Sequence, residues 1–456
     1  MKKLIIGLAT ASLLVGGLGS CNKKLDVEPV DTVDAANALN TSSDVEAALV
    51  GSYTGLQSDN AYVGYIQFLS DLLADNGDVD FVGTYQQPQQ LQRKTILKDN
   101  STVANIWLRA YSTVNRVNNV LANLGKLDTP AKRTRIEGEA RFIRGLVYFD
   151  LVRLYARDWN DGTPQSNPGV PLVLTPTTTI SPANSVSRNT VAEVYAQVIA
   201  DLTAAENQLP ASNGIFANKY AAAAVLSRVY LQQNNYAGAA NAATRVIASN
   251  SFSLNANYAD NFGNGSNLSP NTPEDIFAIQ VNAQTSIADP VGQFYSEQQR
   301  ADVEIQSQFL SLFEPGDDRL SVYSITAGAP TYTTKYDALY GNIKLIRLDE
   351  MYLTRAEANF RAGTTVGATP LADINRIRAR AKLAPLVTLT INSILKERRI
   401  ELAFEGFRLG DLKRNRESTV DPATGAAIPW NSSRLVFPIP LREINANPNL
   451  TQNPGY

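Results

Sequence analysis

The chain has 456 residues, with 41 Lys and Arg against 43 Asp and Glu, a single cysteine and no histidine. Without histidine there is no Ser-His-Asp or Cys-His nucleophile and no histidine-bound zinc, copper or non-haem iron; one cysteine allows no internal disulfide, zinc ribbon or iron–sulfur cluster within this chain. A formal charge of −2 offers no basic surplus for nucleic acid, and the 44% apolar share suits a protein that buries a large core.

Lys2 and Lys3 precede an uncharged stretch from Leu4 to Leu18, the layout of an export signal over residues 1–20. The stretch is shorter than the roughly 20 residues a bilayer-spanning helix needs. It ends at Leu18-Gly19-Ser20-Cys21, which resembles a bacterial lipobox. That resemblance implies cleavage before Cys21, lipid (palmitate among it) on its sulfur and amine, and a globular body tethered to a membrane without spanning it.

Residues 22–41 read as a polar tether. A helix is predicted over 42–57, capped by Ser42 or Ser43 beside Asp44 and Glu46. Residues 59–101 lack a helical period and carry an acidic patch at Asp71, Asp75, Asp78 and Asp80. A loop of oxygen ligands suits calcium, but the patch lacks the Gly and Glu positions of a twelve-residue calcium loop and reads first as a solvated acidic loop. Two helices follow, at 102–124 and 131–156. In the second, Ile136, Ala140, Ile143, Val147, Leu151 and Leu154 form one apolar stripe, and Phe142 and Phe149 a second, which places it inside a helical array.

After a Pro/Gly/Thr-rich loop at 157–186, helices are predicted at 190–208, 217–232 and 235–249. Leu226, Ser227 and Tyr230, then Ala239, Ala243 and Val246, match the spacing of a tetratricopeptide repeat, where small residues let two helices approach and a tyrosine fills the groove. Residues 250–342 are irregular, with a strand expected at 276–281. Helices return at 343–362, 368–381 and 391–406, and 415–456 reads as ordered loop. The outline is a mainly α body interrupted by two long irregular regions, where binding usually resides.

Few constellations suggest chemistry. Asp75, Asp78, Asp317 and Asp318 could supply a glycosidase carboxylate pair, but no spacing supports one. Gly263 and Gly265 lack the continuation of a dinucleotide loop. Glu350 and Glu357 lie on the apolar line of Ile346, Leu353 and Phe360, so they are expected half-buried and paired. Arg347, Arg376, Arg378, Arg398 and Arg399 are the candidate partners. The run holding Glu397, Arg398, Arg399, Glu401, Glu405, Arg408, Asp411, Lys413 and Arg414 is balanced in sign and reads as a salt-bridged helix and turn.

Three segments then resemble one family: GEARFIRGLVYFDLVRLYA at 138–156, LIRLDEMYLTRAEANFRAG at 345–363 and ERRIELAFEGFRLGDLKR at 397–414. With the closing QNPGY after Phe437-Pro438-Ile439-Pro440, they are similar to hallmarks of the SusD/RagB family. Asp349, where that family often has Ala, Ala156-Arg157-Asp158-Trp159 in place of a Gly-x-x-Pro turn, and Lys23 and Lys24 are departures. The resemblance implies a single SusD-like domain over 21–456, comprising an N-terminal region at 21–210, a tetratricopeptide-like pair at 217–249 and a C-terminal region at 272–456.

It further implies an outer-membrane lipoprotein, facing the cell surface, that is not an enzyme. Such a protein binds glycans, or in some members oligopeptides, and delivers them to a SusC-like TonB-dependent transporter. No cofactor is expected, a structural calcium aside. Sugar binding wants an aromatic platform and planar polar groups; the candidates are Asp75, Tyr85, Gln86, Phe294, Tyr295, Arg300, Tyr323 and Tyr332. Glu350, Glu357, Arg398, Glu401 and Glu405 are assigned to a structural ion network. A glycosidase and a protein-binding scaffold are the competing readings.

Overall fold

Threonine and asparagine punctuate the chain: Thr41, Asn100, Thr129, Thr190, Asn218, Thr369 and Thr390 each accept a hydrogen bond from the first free backbone N–H groups of a helix. A computed structural model describes residues 39–178, 184–263, 266–285 and 290–456. The export signal, Cys21 and most of the tether lie outside the described residues.

The elements run α1 (Ser42–Leu56), α2 (Tyr65–Ala74), β1 (Val79–Phe81), α3 (Gln86–Gln92), α4 (Ser101–Ala122), α5 (Pro130–Tyr155), α6 (Val191–Gln208), α7 (Lys219–Gln232) and α8 (Tyr236–Ile247). Then come β2 (Leu268–Ser269), β3 (Asp275–Ile279), α9 (Val291–Tyr295), β4 (Val303–Ile305), α10 (Ser307–Leu310), β5 (Tyr340–Gly341) and β6 (Ile343–Arg347). The chain continues through α11 (Leu348–Ala362), α12 (Pro370–Arg380), α13 (Ile391–Glu401), α14 (Arg408–Arg414), β7 (Thr419–Val420), β8 (Ala427–Ile428) and α15 (Leu441–Ala446). The fold is mainly α. No helix among the described residues is long and apolar enough to cross a membrane.

The helices pack in series: α1 on α4, α4 on α5, α5 on α6, α6 on α7, α7 on α8. The array then continues with α11, which packs on α8 although residues 248–347 intervene. Glycine sets one spacing: a Cβ on Gly145 of α5 would sit 2.8 Å from Leu202 Cγ of α6. The α7–α8 hairpin packs as its repeat spacing predicts. The Ser227 hydroxyl donates to Ala224 O at 2.7 Å, and the Tyr230 ring lies where a Cβ on Gly238 would meet it.

Between α8 and α11 the chain carries β2, β3, α9, β4, α10, β5 and β6. The described strands pair two by two: β1–β4, β3–β6 and β7–β8 antiparallel, β2–β5 parallel. The C-terminal segment is pinned to the array: Phe437 N donates to Leu154 O at 2.8 Å, and Asn453 Nδ2 donates to both Tyr155 O and Phe437 O.

Four expectations are corrected. Residues 59–101 are not irregular, since they contain α2, β1 and α3. All ten residues of α2 are buried, so no solvent face imposes an amphipathic stripe. The acidic patch is not a solvated loop: Asp71, Asp75 and Asp78 are buried, and only Asp80 is exposed. Residues 343–347 form β6 ahead of α11, because Ile343 to Ile346 pair with β3. The helix begun at 391 ends at Glu401, not 406, where Phe404 and Gly406 adopt φ of 64° and 81°.

Candidate functional site

The motif carboxylates are among the most deeply buried charges of the described residues. Glu350 and Glu357, two turns apart on α11, are fully buried instead of half-buried. Arg228 of α7 donates to Glu350 from Nε at 2.8 Å and Nη2 at 2.7 Å. Arg414 of α14 grips Glu357 with both terminal nitrogens, Nη2 at 2.7 Å, and Arg361 adds a bond at 2.8 Å. Burial works to raise the Glu357 carboxyl, but Arg414 and Arg398 overcome it and hold the group below the usual carboxylate range.

Arg398 spans from Asp411 at 2.9 Å to the Thr354 hydroxyl. Glu401 receives Arg319 and Arg380. Glu405 receives Lys335 at 2.7 Å and Arg347 at 2.8 Å. Burial again opposes ionisation of Glu405, and Arg347 with Lys335 brings it below its ordinary value. Arg347 therefore serves Glu405, Glu274 and Asp349, not Glu350 as its spacing predicted. The true partners Arg228, Arg319 and Arg380 lie on other elements, where sequence spacing gives no signal. These groups tie α7, α11, α12, α13 and α14 to the loops around them, and Glu350 and Glu357 have no face open to solvent.

The ligand candidates divide into two groups. Phe294 and Tyr295 are fully buried and Tyr323 nearly so. Phe294 stacks on Phe68 with centroids 4.1 Å apart, and Tyr323 packs among Phe309, Phe313 and Phe404. They form an aromatic core between α2 and the loops, so none offers a ring face to a ligand. Asp75 is also withdrawn: its Oδ1 accepts N–H bonds from Gly77, Asp78 and Val79 at 2.8–3.1 Å, which fixes the turn from α2 into β1.

Tyr85, Gln86, Arg300 and Tyr332 remain at the surface, and the β1–β4 ribbon assembles three of them. The Arg300 guanidinium lies 4.0 Å from the Tyr85 ring centroid, oriented by Asp302 at 2.8 Å. Ile305 N donates to Thr331 O, which lays the segment carrying Tyr332 along β4. The Tyr332 hydroxyl donates to Glu304 Oε1 at 3.5 Å. Glu304 stands opposite Asp80 in register on the outward face, and Gln92 donates to Asp80 at 3.1 Å. Gln86 opens α3 beside Tyr85 and is exposed. The result is a half-exposed ring, a planar cation, a second ring and paired carboxylates: stacking surfaces beside hydrogen-bond acceptors.

Residues 25–231 match a family model described as "Starch-binding associating with outer membrane", and residues 327–456 match one described as "SusD family". SusD-like protein P2 of Formosa agariphila is 25% identical, with 100% of each chain covered. The starch-binding protein SusD of Bacteroides thetaiotaomicron is 37% identical over 127 residues, 25% of this chain and 22% of that one. A solved SusD superfamily protein of Bacteroides thetaiotaomicron superposes with a TM-score of 0.81 at 27% identity, covering 91% of this chain and 100% of the other.

Proposed function

The chain belongs to the SusD/RagB family, and from that premise we propose that it is the non-enzymatic, lipid-anchored binding subunit of an outer-membrane nutrient importer. It captures a glycan on the β1–β4 face and hands it to a SusC-like TonB-dependent transporter. One observation carries the glycan reading. Arg300 lies over the Tyr85 ring, and Tyr332 donates to Glu304, the register partner of Asp80 across the β1–β4 ribbon.

An apolar sugar face stacks on an aromatic ring or a guanidinium plane, and carboxylates accept bonds from its hydroxyls. An oligopeptide is the second reading, favoured by the lack of tryptophan from residues 59–101 and 250–342.

Calorimetric screening of soluble oligosaccharides and oligopeptides tests both. Tyr85→Ala should weaken glycan binding about three- to tenfold with little change in melting temperature. Unchanged affinity would move the site elsewhere, peptide binding alone would select the second reading, and release of reducing ends would refute the non-enzymatic role.

A further inference from the structure

At one end of the β1–β4 ribbon, side chains from two distant segments are held together. Past the register pair Phe81 and Val303, the Val82 N–H donates to Asp302 O at 2.9 Å, which brings residues 83–85 alongside residues 300–302. The Arg300 guanidinium lies over the Tyr85 ring, 4.0 Å from its centroid. Its Nε donates to Asp302 Oδ2 at 2.8 Å, and its Nη2 donates to the Thr84 hydroxyl at 3.4 Å.

Two backbone features accompany this arrangement. Ala301, the residue between Arg300 and Asp302, adopts φ of 54°, a left-handed conformation that a side chain disfavours. Gly83 leaves the space that Asp302 fills, because a Cβ there would sit 2.5 Å from Asp302 Cγ. Asp302 is only 5% exposed, and its ion-pair partner is Arg300. A buried carboxylate is costly without a cation, so charge holds one edge of the guanidinium while the ring supports its face.

The two layers differ in exposure. Arg300 is exposed, whereas Tyr85 is half-buried and meets the buried Phe294 edge-to-face at 6.3 Å. A ligand approaching Tyr85 from the side that Arg300 covers meets the guanidinium plane first.

We infer that the stacking platform of this face is the Arg300 guanidinium plane, with Tyr85 as the layer beneath it and Asp302 as the residue that orients it. The inference rests on the glycan reading above and names the contacting group. A planar, weakly hydrated cation offers its face to the C–H face of an uncharged pyranose. Asp302 touches Arg300 and not the sugar, so it is a positioning residue, and Gly83 serves it by leaving room.

Calorimetry on the mature full chain with maltohexaose, cellohexaose, mannohexaose and xylohexaose tests this, the tightest binder serving as probe. Arg300→Lys keeps the charge but loses the plane, and should weaken the probe about tenfold with the melting temperature unchanged. Asp302→Ala should weaken it about fivefold in the wild-type background and less than about twofold beside Arg300→Ala, because a residue acting through another has no effect once the other is gone. Asp302→Asn keeps an oxygen for Arg300 Nε and should restore part of the loss.

Wild-type affinity in Arg300→Lys overturns the inference even if no Asp302 variant folds, and leaves the glycan reading standing. Equal effects of Asp302→Ala in both backgrounds also overturn it, since Asp302 would then not act through Arg300. Binding of none of the four hexasaccharides overturns the glycan reading and the platform together.

Discussion

Asp71 and Glu357 are both buried carboxylates, and their surroundings push them in opposite directions. Burial dominates at Asp71 and raises it from 3.8 to about 8, because the hydrogen bonds from Gly406 and Tyr295 and the charge of Lys335 offset it only in part. At Glu357 burial is outweighed by Arg414 and Arg398, which hold the carboxyl low. The pH consequences follow in sign. Between pH 3.8 and about 8 the unfolded chain releases the Asp71 proton while the folded chain keeps it, so rising pH favours unfolding.

Glu357 acts the other way, giving stability above the ordinary carboxylate range that is lost as pH falls through its lowered value. Asp71→Asn should therefore gain on the wild type between pH 5 and pH 8, read as urea midpoints. A constant gap would show that Asp71 ionises normally. Glu357→Gln leaves Arg414 short of a charge in a sealed site and should cost roughly 3 kcal/mol by denaturant melts. Its ligand affinity at permissive temperature should stay unchanged.

At the scale of elements, two glycines in helix interiors separate propensity from packing. Gly51 in α1 has nothing within 4 Å of where a Cβ would stand, so Gly51→Ala should stabilise by up to about 1 kcal/mol through helix propensity alone. Gly145 in α5 faces Leu202 of α6 at 2.8 Å, and overpacking there costs about 1–3 kcal/mol, more than propensity returns. Gly145→Ala should therefore lower the melting temperature, and a rise would mean that α5 and α6 separate easily. Most helices were legible because their apolar periodicity and capping residues agree. Helix α2 was not, since a helix buried on every side loses the contrast that periodicity measures.

For the whole molecule, the array runs from α1 through α8 and resumes at α11, and the intervening chain supplies β4 to the β1–β4 ribbon and Phe294, Tyr295, Phe309 and Tyr323 to the aromatic core. The proposed anchor is tested apart from the fold: Cys21→Ser should shift the protein from the membrane pellet to the soluble fraction, and retention in the pellet would count against lipidation there.

By itself the sequence determined the mainly α class, the family and the presence of buried charge in its motifs. These rest on periodicity, spacing and residue type, which are local. Only the tertiary structure decided which arginine meets which glutamate. It alone separated the tyrosines that face solvent from those that fill an aromatic core, and buried most of an acidic patch. Those outcomes depend on contacts between residues up to hundreds of positions apart, where burial and pairing are properties of the packed neighbours and not of the chain around each residue.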